Sequence, residues 1–228
     1  LNGNDLRVLP DAPWLRATSG TLDFTEQGFR VPQASARLLG GELRFSGAMD
    51  RQGGQTTVRF QGQGSVSADG LRRSGDLDGP WAALATLGQH SSGATTYQAR
   101  LAFAPEGTQV RVESGLQGLA LALPAPLDKT APALLPLLFE VTPQPVAGPA
   151  GVRRDRWALE LGAGPVPLLS ARYDRDHGAA GTQVLRGARA LRSERPPLPE
   201  RGVQGQFALG DFDLQAWQDL AAAASAPA

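Results

Sequence analysis

Thirteen consecutive residues, Gln55–Ser67, alternate without a break. Thr56, Val58, Phe60, Gly62, Gly64 and Val66 fall on one parity, and Gln55, Thr57, Arg59, Gln61, Gln63, Ser65 and Ser67 on the other. A period of two belongs to a β-strand, whose successive side chains point to opposite faces. An ordinary strand has only about five or six residues, whereas this one reaches about 43 Å at ~3.3 Å per residue. The segment therefore predicts a long strand with one dry face.

The same signature returns in Tyr97, Ala99, Leu101 and Phe103, and again in Val110 and Val112. Trp157, Leu159 and Leu161 repeat it, as do Val203, Gly205, Phe207 and Leu209. Turn residues and alternation predict strands over residues 14–19, 21–25, 29–31, 34–39, 42–49 and 55–67. A second run covers 95–104, 109–113, 116–123, 137–141, 156–161, 168–174, 182–188 and 202–209. Antiparallel hairpins are the economical connection, and 28 Gly and 18 Pro among 228 residues supply the turns.

Two segments predict helices. Asp78 is placed to cap the first, with Pro80 in its first turn, Trp81, Leu84 and Leu87 on one stripe and Gly88 at its stop. Asp213 is placed to cap the second over residues 214–224, where Leu214, Trp217, Leu220 and Ala221 share a face. Asp76, Leu77, Asp78, Trp81 and Leu84 parallel Asp211, Phe212, Asp213, Trp217 and Leu220. This weak internal echo divides a single β-rich segment, residues 1–228, into repeat-like halves 1–92 and 93–228, each ending in a short Trp-bearing helix. The proline-rich residues 124–136, with 143–149 and 194–200, predict loops because proline removes ladder donors.

Several functions lose their footing on composition. Lys+Arg and Asp+Glu both number 22 and no run of five like charges occurs, so no nucleic acid partner is expected. Cysteine is absent, which removes disulfides, thiolate metal sites and a cysteine nucleophile. No cofactor is expected either: Gly62 and Gly64 lie inside a strand pattern and do not open a helix as a phosphate-binding loop does. Asp174, Asp176 and His177 carry metal-ligand atoms, but Gly178 after them reads as a turn, and a solvated loop is the expectation. His90, Ser91 and Ser92 sit in a Gly-flanked loop without the positioning partners of a catalytic triad. Trp81 and Trp217 read as plugs over the sheet, with membrane contact as the other reading.

The dry faces dominate what remains. Ten strands with three inward side chains each present about 1,800 Å² of apolar surface at roughly 60 Å² per side chain. A soluble monomer normally leaves no patch larger than ~300–600 Å². Two short helices cannot cover the difference. A second sheet in the same chain would give a closed β-sandwich; otherwise the cover is a neighbouring segment of a larger protein or a lipid.

Particular phrases bear on that choice. Residues 114–129, Ser-Gly-Leu-Gln-Gly-Leu-Ala-Leu-Ala-Leu-Pro-Ala-Pro-Leu-Asp-Lys, resemble a phrase of the YhdP proteins, large members of the AsmA-like group of Gram-negative bacteria. The entry Gly20, Thr21, Leu22, Asp23, Phe24, the strand-turn-strand around Leu38–Gly47, and Leu198, Pro199, Glu200, Arg201, Gly202 and Val203 followed by Asp213 and Trp217 are similar to the same family. The resemblance implies a mainly β fold, a long, strongly twisted antiparallel sheet curling into a hydrophobic groove of the bridge type, here with two short helices. It implies an interior segment of a longer protein, which the opening Leu1 suits, anchored in the inner membrane and crossing the periplasm.

Such a protein carries phospholipid between inner and outer membrane. Its partners would be phospholipid acyl chains, neighbouring segments of the same long chain, and a membrane reached through the parent protein. Val58, Phe60, Leu101, Phe103, Val110 and Val112 are the residues expected to face the groove, and no enzymatic activity is implied. The alternative is a closed β-sandwich serving as a structural or protein-binding module of the cell envelope. An envelope glycan hydrolase comes third, since no carboxylate pair or triad motif is recognisable.

Overall fold

The computed structural model describes residues 2–7, 12–26, 28–52, 54–74, 82–146, 152–179, 181–210 and 213–225. Its strands are β1 (Asn4–Leu6), β2 (Leu15–Gly20), β3 (Asp23–Thr25), β4 (Gly28–Leu38), β5 (Gly41–Gln52), β6 (Gln55–Ser67), β7 (Ser91–Ala104), β8 (Gly107–Ser114), β9 (Leu119–Leu121), β10 (Leu137–Gln144), β11 (Arg153–Leu161), β12 (Leu169–Gly178), β13 (Gly181–Leu191) and β14 (Gly202–Phe207). The helices are α1 (Ala68–Arg72), α2 (Ala82–Gln89) and α3 (Leu214–Ser225). All 14 strands join one mostly antiparallel sheet in the order β1-β2-β4-β5-β6-β7-β8-β10-β11-β12-β13-β14, with β3 beside β4 and β9 beside β7. The sheet is not closed into a barrel, and among the described residues no second sheet packs on it. The dry faces are therefore not the inside of a β-sandwich.

The long alternating strand has the bounds its pattern predicts, and β5 and β7 pair along most of its length. The sheet is continuous through residues 92 and 93, which lie within β7. Residues 29–31 and 34–39, read as two strands, belong to one strand whose register shifts between Val31 and Ala34. Pro32 sits in that irregularity, where its missing N–H takes nothing from the ladder. Pro143, expected in a loop, lies in β10 opposite Asp155; residues 147–150 fall outside the described set. The expected strand over 116–123 shrinks to β9, because Leu116 adopts φ 50° and the chain turns there.

One neighbouring pair departs from the antiparallel pattern. β14 runs parallel to β13, pairing Gly187 with Val203 and Ala190 with Gln206, so the proline-rich residues between them cross back over the sheet. They lie on the polar face: Arg195 donates to Glu160 and to the Gly164 carbonyl, and Gln204 donates to the Pro197 carbonyl. Ala188, Ala190, Ser170 and Asp174, all on that parity, are buried.

Three helices stand where two were expected. α1 follows β6 directly: the Ser67 hydroxyl caps it, accepting from the Gly70 backbone N–H at 3.1 Å. The sequence hid this turn because Gly70 lowers helix propensity and five residues are too few for periodicity. α2 spans Ala82–Gln89, with its proposed lead, Asp76, Leu77, Asp78, Pro80 and Trp81, outside the described residues. α3 begins as expected, the Asp213 carboxylate accepting from the Ala216 N–H at 3.0 Å; Asp211 and Phe212 are also outside the described set.

The tightest packing lies at one end of the sheet. Ala68 of α1, Leu116, and Leu119 and Leu121 of β9 form a buried cluster, with Leu87 of α2, Leu123, Leu135, Leu137 and Leu161 packed against it. Lys129 is buried beside it, its Nζ donating to the carbonyls of Leu119 at 2.7 Å and Thr130 at 3.0 Å, and burial pushes its pKa down. α1 closes this end by lying against the Leu39–Gly40 turn, which has positive φ at both residues as a two-residue hairpin of this hand requires. A Cβ added at Gly70 would fall on the Leu39 carbonyl group. Gly70→Ala is therefore expected to lower stability by about 2–3 kcal/mol, since backbone must move to admit it. Urea unfolding checks this; an unchanged midpoint would refute the close approach.

Candidate functional site

Register builds the site. Because side chains alternate and the strands stay in step, residues opposite one another form rows across ten strands, β4 to β8 and β10 to β14. The middle row runs Val31, Gly47, Phe60, Leu101, Val110, Val141, Trp157, Tyr173, Gly187 and Val203. On one side of it lies a row from Ala34 and Phe45 through Gly62, Ala99, Val112, Phe139 and Leu159 to Ala171, Arg189 and Gly205. Beyond that, a third row runs from Ala36 and Leu43 through Tyr97, Leu137 and Leu161 to Leu169, Leu191 and Phe207. Together they make one apolar wall.

Of the six residues singled out from the sequence, Phe60, Leu101, Val110 and Val112 lie in these rows, and Val58 and Phe103 share the same face one row beyond the middle row. Val58 faces Phe103, Phe60 faces Leu101, Leu101 faces Val110, and Val112 faces Ala99. The wall is half-exposed: Val58, Phe60, Leu101, Phe103, Val110 and Val112 are each neither buried nor fully open. Nothing among the described residues covers its centre, and only its third row, through Leu137 and Leu161, packs under the helical cap. Sequence reading missed two aromatic groups that stiffen it. Phe60 lies 6.3 Å from Phe29 and from Phe45 and 6.5 Å from Phe103, centroid to centroid. Phe139, Trp157 and Tyr173 form the second chain, at 5.4 and 5.7 Å. These contacts are cross-strand, so no local sequence window could reveal them.

Small residues on the wall are roofed by neighbouring rings. The Phe60 ring occupies the space over Gly47, and the Tyr173 ring that over Gly187. Gly64 lies beneath the Tyr97 hydroxyl, which is buried without a hydrogen-bond partner; burial pushes that phenol up to about 12. Gly62 is closed by the Phe45 side chain and the Arg44 carbonyl. Neither Gly62 nor Gly64 leaves an open slot. A buried hydroxyl with no partner is unfavourable, so Tyr97→Phe should leave stability unchanged or raise it by about 1 kcal/mol. A thermal melt checks this, and a clear loss would mean that the hydroxyl has a partner.

The opposite face is polar and cross-linked. Asp174, almost fully buried, receives Arg156 at 2.7 and 3.1 Å and Arg186 at 2.7 Å. Burial pushes its carboxyl up, but the two guanidiniums outweigh this and hold it below the usual range. Asp176 takes both arms of Arg154 at 2.7 and 2.9 Å, and Arg154 holds its carboxyl low. Arg195 does the same to Glu160. Arg111 bonds Glu113 at 2.8 Å and also pairs with Glu140. Two open hollows of about 830 and 590 Å³ lie along the sheet and are lined by residues of both parities, the first by Arg44, Gln63 and Glu113 with Tyr97 and Leu137, the second by Arg59, Arg100 and Arg111 with Phe60, Leu101 and Val110.

Three expectations about chemistry need correction or placement. Asp174, Asp176 and His177 are not in a solvated loop but in β12, where alternation sends the first two to the polar face and His177 to the other. There Asp155 accepts from Arg175 at 2.8 and 2.9 Å and lies 2.9 Å from His177, so the carboxylates are committed to arginines rather than converging. Among the described residues no group of three or more His, Cys, Asp or Glu could hold a metal. Ser91 and Ser92 begin β7 instead of lying in a loop, and the Ser91 hydroxyl donates to the Leu87 carbonyl at 2.5 Å, ending α2. Trp217 docks α3 on the proline-rich segment, its indole N–H donating to the Ala125 carbonyl at 3.0 Å, while Trp81 is outside the described residues.

No helix among the described residues is long and apolar enough to cross a membrane. No curated protein and no solved structure matches the chain. A family model described as YhdP protein matches residues 1–227. With nearly its whole length matched, and with an open, mainly β sheet and the phrase ending at Lys129 folded as its cap, the chain belongs to the YhdP family, AsmA-like proteins of the bacterial envelope.

Proposed function

We propose that this chain is a segment of a periplasm-spanning bridge that carries phospholipid between inner and outer membrane, with acyl chains lying along the apolar wall. The observation that carries the reading is the wall itself: three largely apolar rows across ten strands, half-exposed from β6 to β12 and without a second sheet over them among the described residues. Membership in the YhdP family supports it, as does the opposite face, whose arginine–carboxylate pairs suit water. A curled sheet would bring the wall inside a groove. Val58, Phe60, Leu101, Phe103, Val110 and Val112 are its lipid-facing residues in this reading.

Movement along such a wall is passive and one-dimensional. Apolar contacts of similar strength follow one another, so a chain slides without a covalent step, and the segment acts without enzymatic activity or cofactor. Its partners are acyl chains and neighbouring segments of the same polypeptide, with the membrane reached through the inner-membrane anchor of the parent protein. Nucleic acid has no part in it.

The test is in-cell photo-crosslinking in the full-length protein, with the reactive side chain at Phe60 or Phe103 and at Gln61 or Gln98 as opposite-face controls. Phospholipid adducts at the first pair and not the second are expected. Adducts at neither, in folded protein, would mean that the wall is covered by protein, and the chain would then be a protein-binding module of the envelope.

A further inference from the structure

The three rows hold one charge. In the three rows across ten strands, Arg189 of β13 is the single ionisable cation or carboxylate, opposite Ala171 on β12 and Gly205 on β14. Further charged groups stand on this side beyond the middle row, toward the strand ends: Asp155 pairs with Arg175, and Arg51 and Arg153 are exposed. Arg189 has no carboxylate partner among the described residues. Its guanidinium carbon lies 5.4 Å from the Tyr173 ring centroid and its Nε donates to the Tyr173 hydroxyl. Both terminal nitrogens are without a hydrogen-bond partner among the described residues, and the side chain is exposed.

The surroundings are aromatic. The Tyr173 ring roofs Gly187, and opposite Arg189 on β14 stands Gly205, roofed by the Phe207 ring, so aromatic surface flanks the guanidinium on the Tyr173 side and the facing strand position has no side chain. Stacking on Tyr173 holds the planar fork in place at little further entropic loss. An arginine on a wet face needs no explanation. On an apolar wall that a hydrocarbon chain would cover, an unpaired cation loses its water and requires an anion. A planar fork with two free prongs matches phosphate oxygens in pairs. Arg189 is also one strand from the β14 edge, where a polar head stays in water while the tails extend inward across β12, β11 and β10.

We propose that Arg189 is the anchoring cation for the phosphodiester of a glycerophospholipid whose acyl chains lie on this wall. The assignment rests on the transport reading above and adds to it a preference for an anionic head over an uncharged one. Charge, stacking and row position all fall on the same residue, and every other position of the three rows is uncharged.

The experiment uses the purified full-length protein in detergent and two diazirine lipids with identical acyl chains, phosphatidylglycerol and diacylglycerol. Wild type is expected to label with phosphatidylglycerol about tenfold more than with diacylglycerol, the size of one charge-assisted contact. Arg189→Gln should bring that ratio close to one while diacylglycerol labelling persists, and Arg189→Lys, which keeps the charge but not the fork, should keep part of the preference. An unchanged ratio in Arg189→Gln overturns the proposal, leaving the transport reading intact. So does an equal fall in Arg189→Gln and Arg189→Lys, which would assign Arg189 to packing on Tyr173. Competition by inorganic phosphate alone at millimolar concentration also overturns it, because the site would then take a free anion. Labelling by neither lipid in wild type sinks the transport reading, and this assignment with it.

Discussion

Leu101→Asp is expected to abolish phospholipid adducts at Phe103, while Ala102→Asp, one residue further along β7, leaves them unchanged. Leu101 stands in the middle row between Phe60 and Val110, and Ala102 stands on the opposite face between Arg59 and Gln109. An acyl chain lying over a carboxylate strips its water and offers no hydrogen bond, at a penalty of about 3 kcal/mol, or more than a hundredfold in occupancy. On the polar face the same carboxylate remains hydrated beside Arg59. Leu101 is half-exposed, so the substitution lowers stability only modestly, and a thermal melt separates that effect from loss of lipid. Equal loss in both variants, or in neither, would remove the wall from the mechanism.

Asp174→Ala is expected to destabilise the β11–β13 region by about 3–5 kcal/mol, the loss typical when one member of a buried ionic group is removed. Two arginines from two neighbouring strands converge on this carboxylate, which is 2% exposed. Without it both guanidiniums repel each other in a site short of water. Asp174→Asn should recover part of the loss by hydrogen bonding alone. The acid limb follows from the same pairs. Asp174, Asp176 and Glu160 all have carboxyl groups held below their unfolded values, so their contribution is complete above about pH 4–5 and is lost as pH falls through the lower folded values. Wild type should weaken steeply in that acid range, and the Asp174→Ala variant less steeply. A parallel acid limb in the two proteins would mean that Asp174 does not report on it.

Most of the strands were legible because their information is local. Gln55–Ser67 shows its pleat in its own alternation, and β7, β8 and β11 do the same over shorter spans. The six wall residues followed from parity, since a strand with one apolar face must put that face on one side. Where the pattern misled, a local rule met a tertiary one. Asp174, Asp176, His177 and Gly178 look like a polar loop, yet β12 carries them because Arg154 and Arg156 stand in register on β11. Pro143 looks like a strand breaker, yet it sits in β10 next to its last residue, beyond Val141 where the pairing with β8 stops.

By itself the sequence determined that the chain is mainly β, which residues share a face, and where α3 begins, because alternation and capping act between residues close along the chain. Tertiary structure alone decided that ten dry faces line up as one open wall and do not close as a sandwich. It also set β14 parallel to β13, made Asp174 the centre of an ionic group, and left Arg189 without a carboxylate partner inside the wall. These outcomes depend on register between strands far apart in sequence, and a strand's own alternation is the same whichever neighbour it meets.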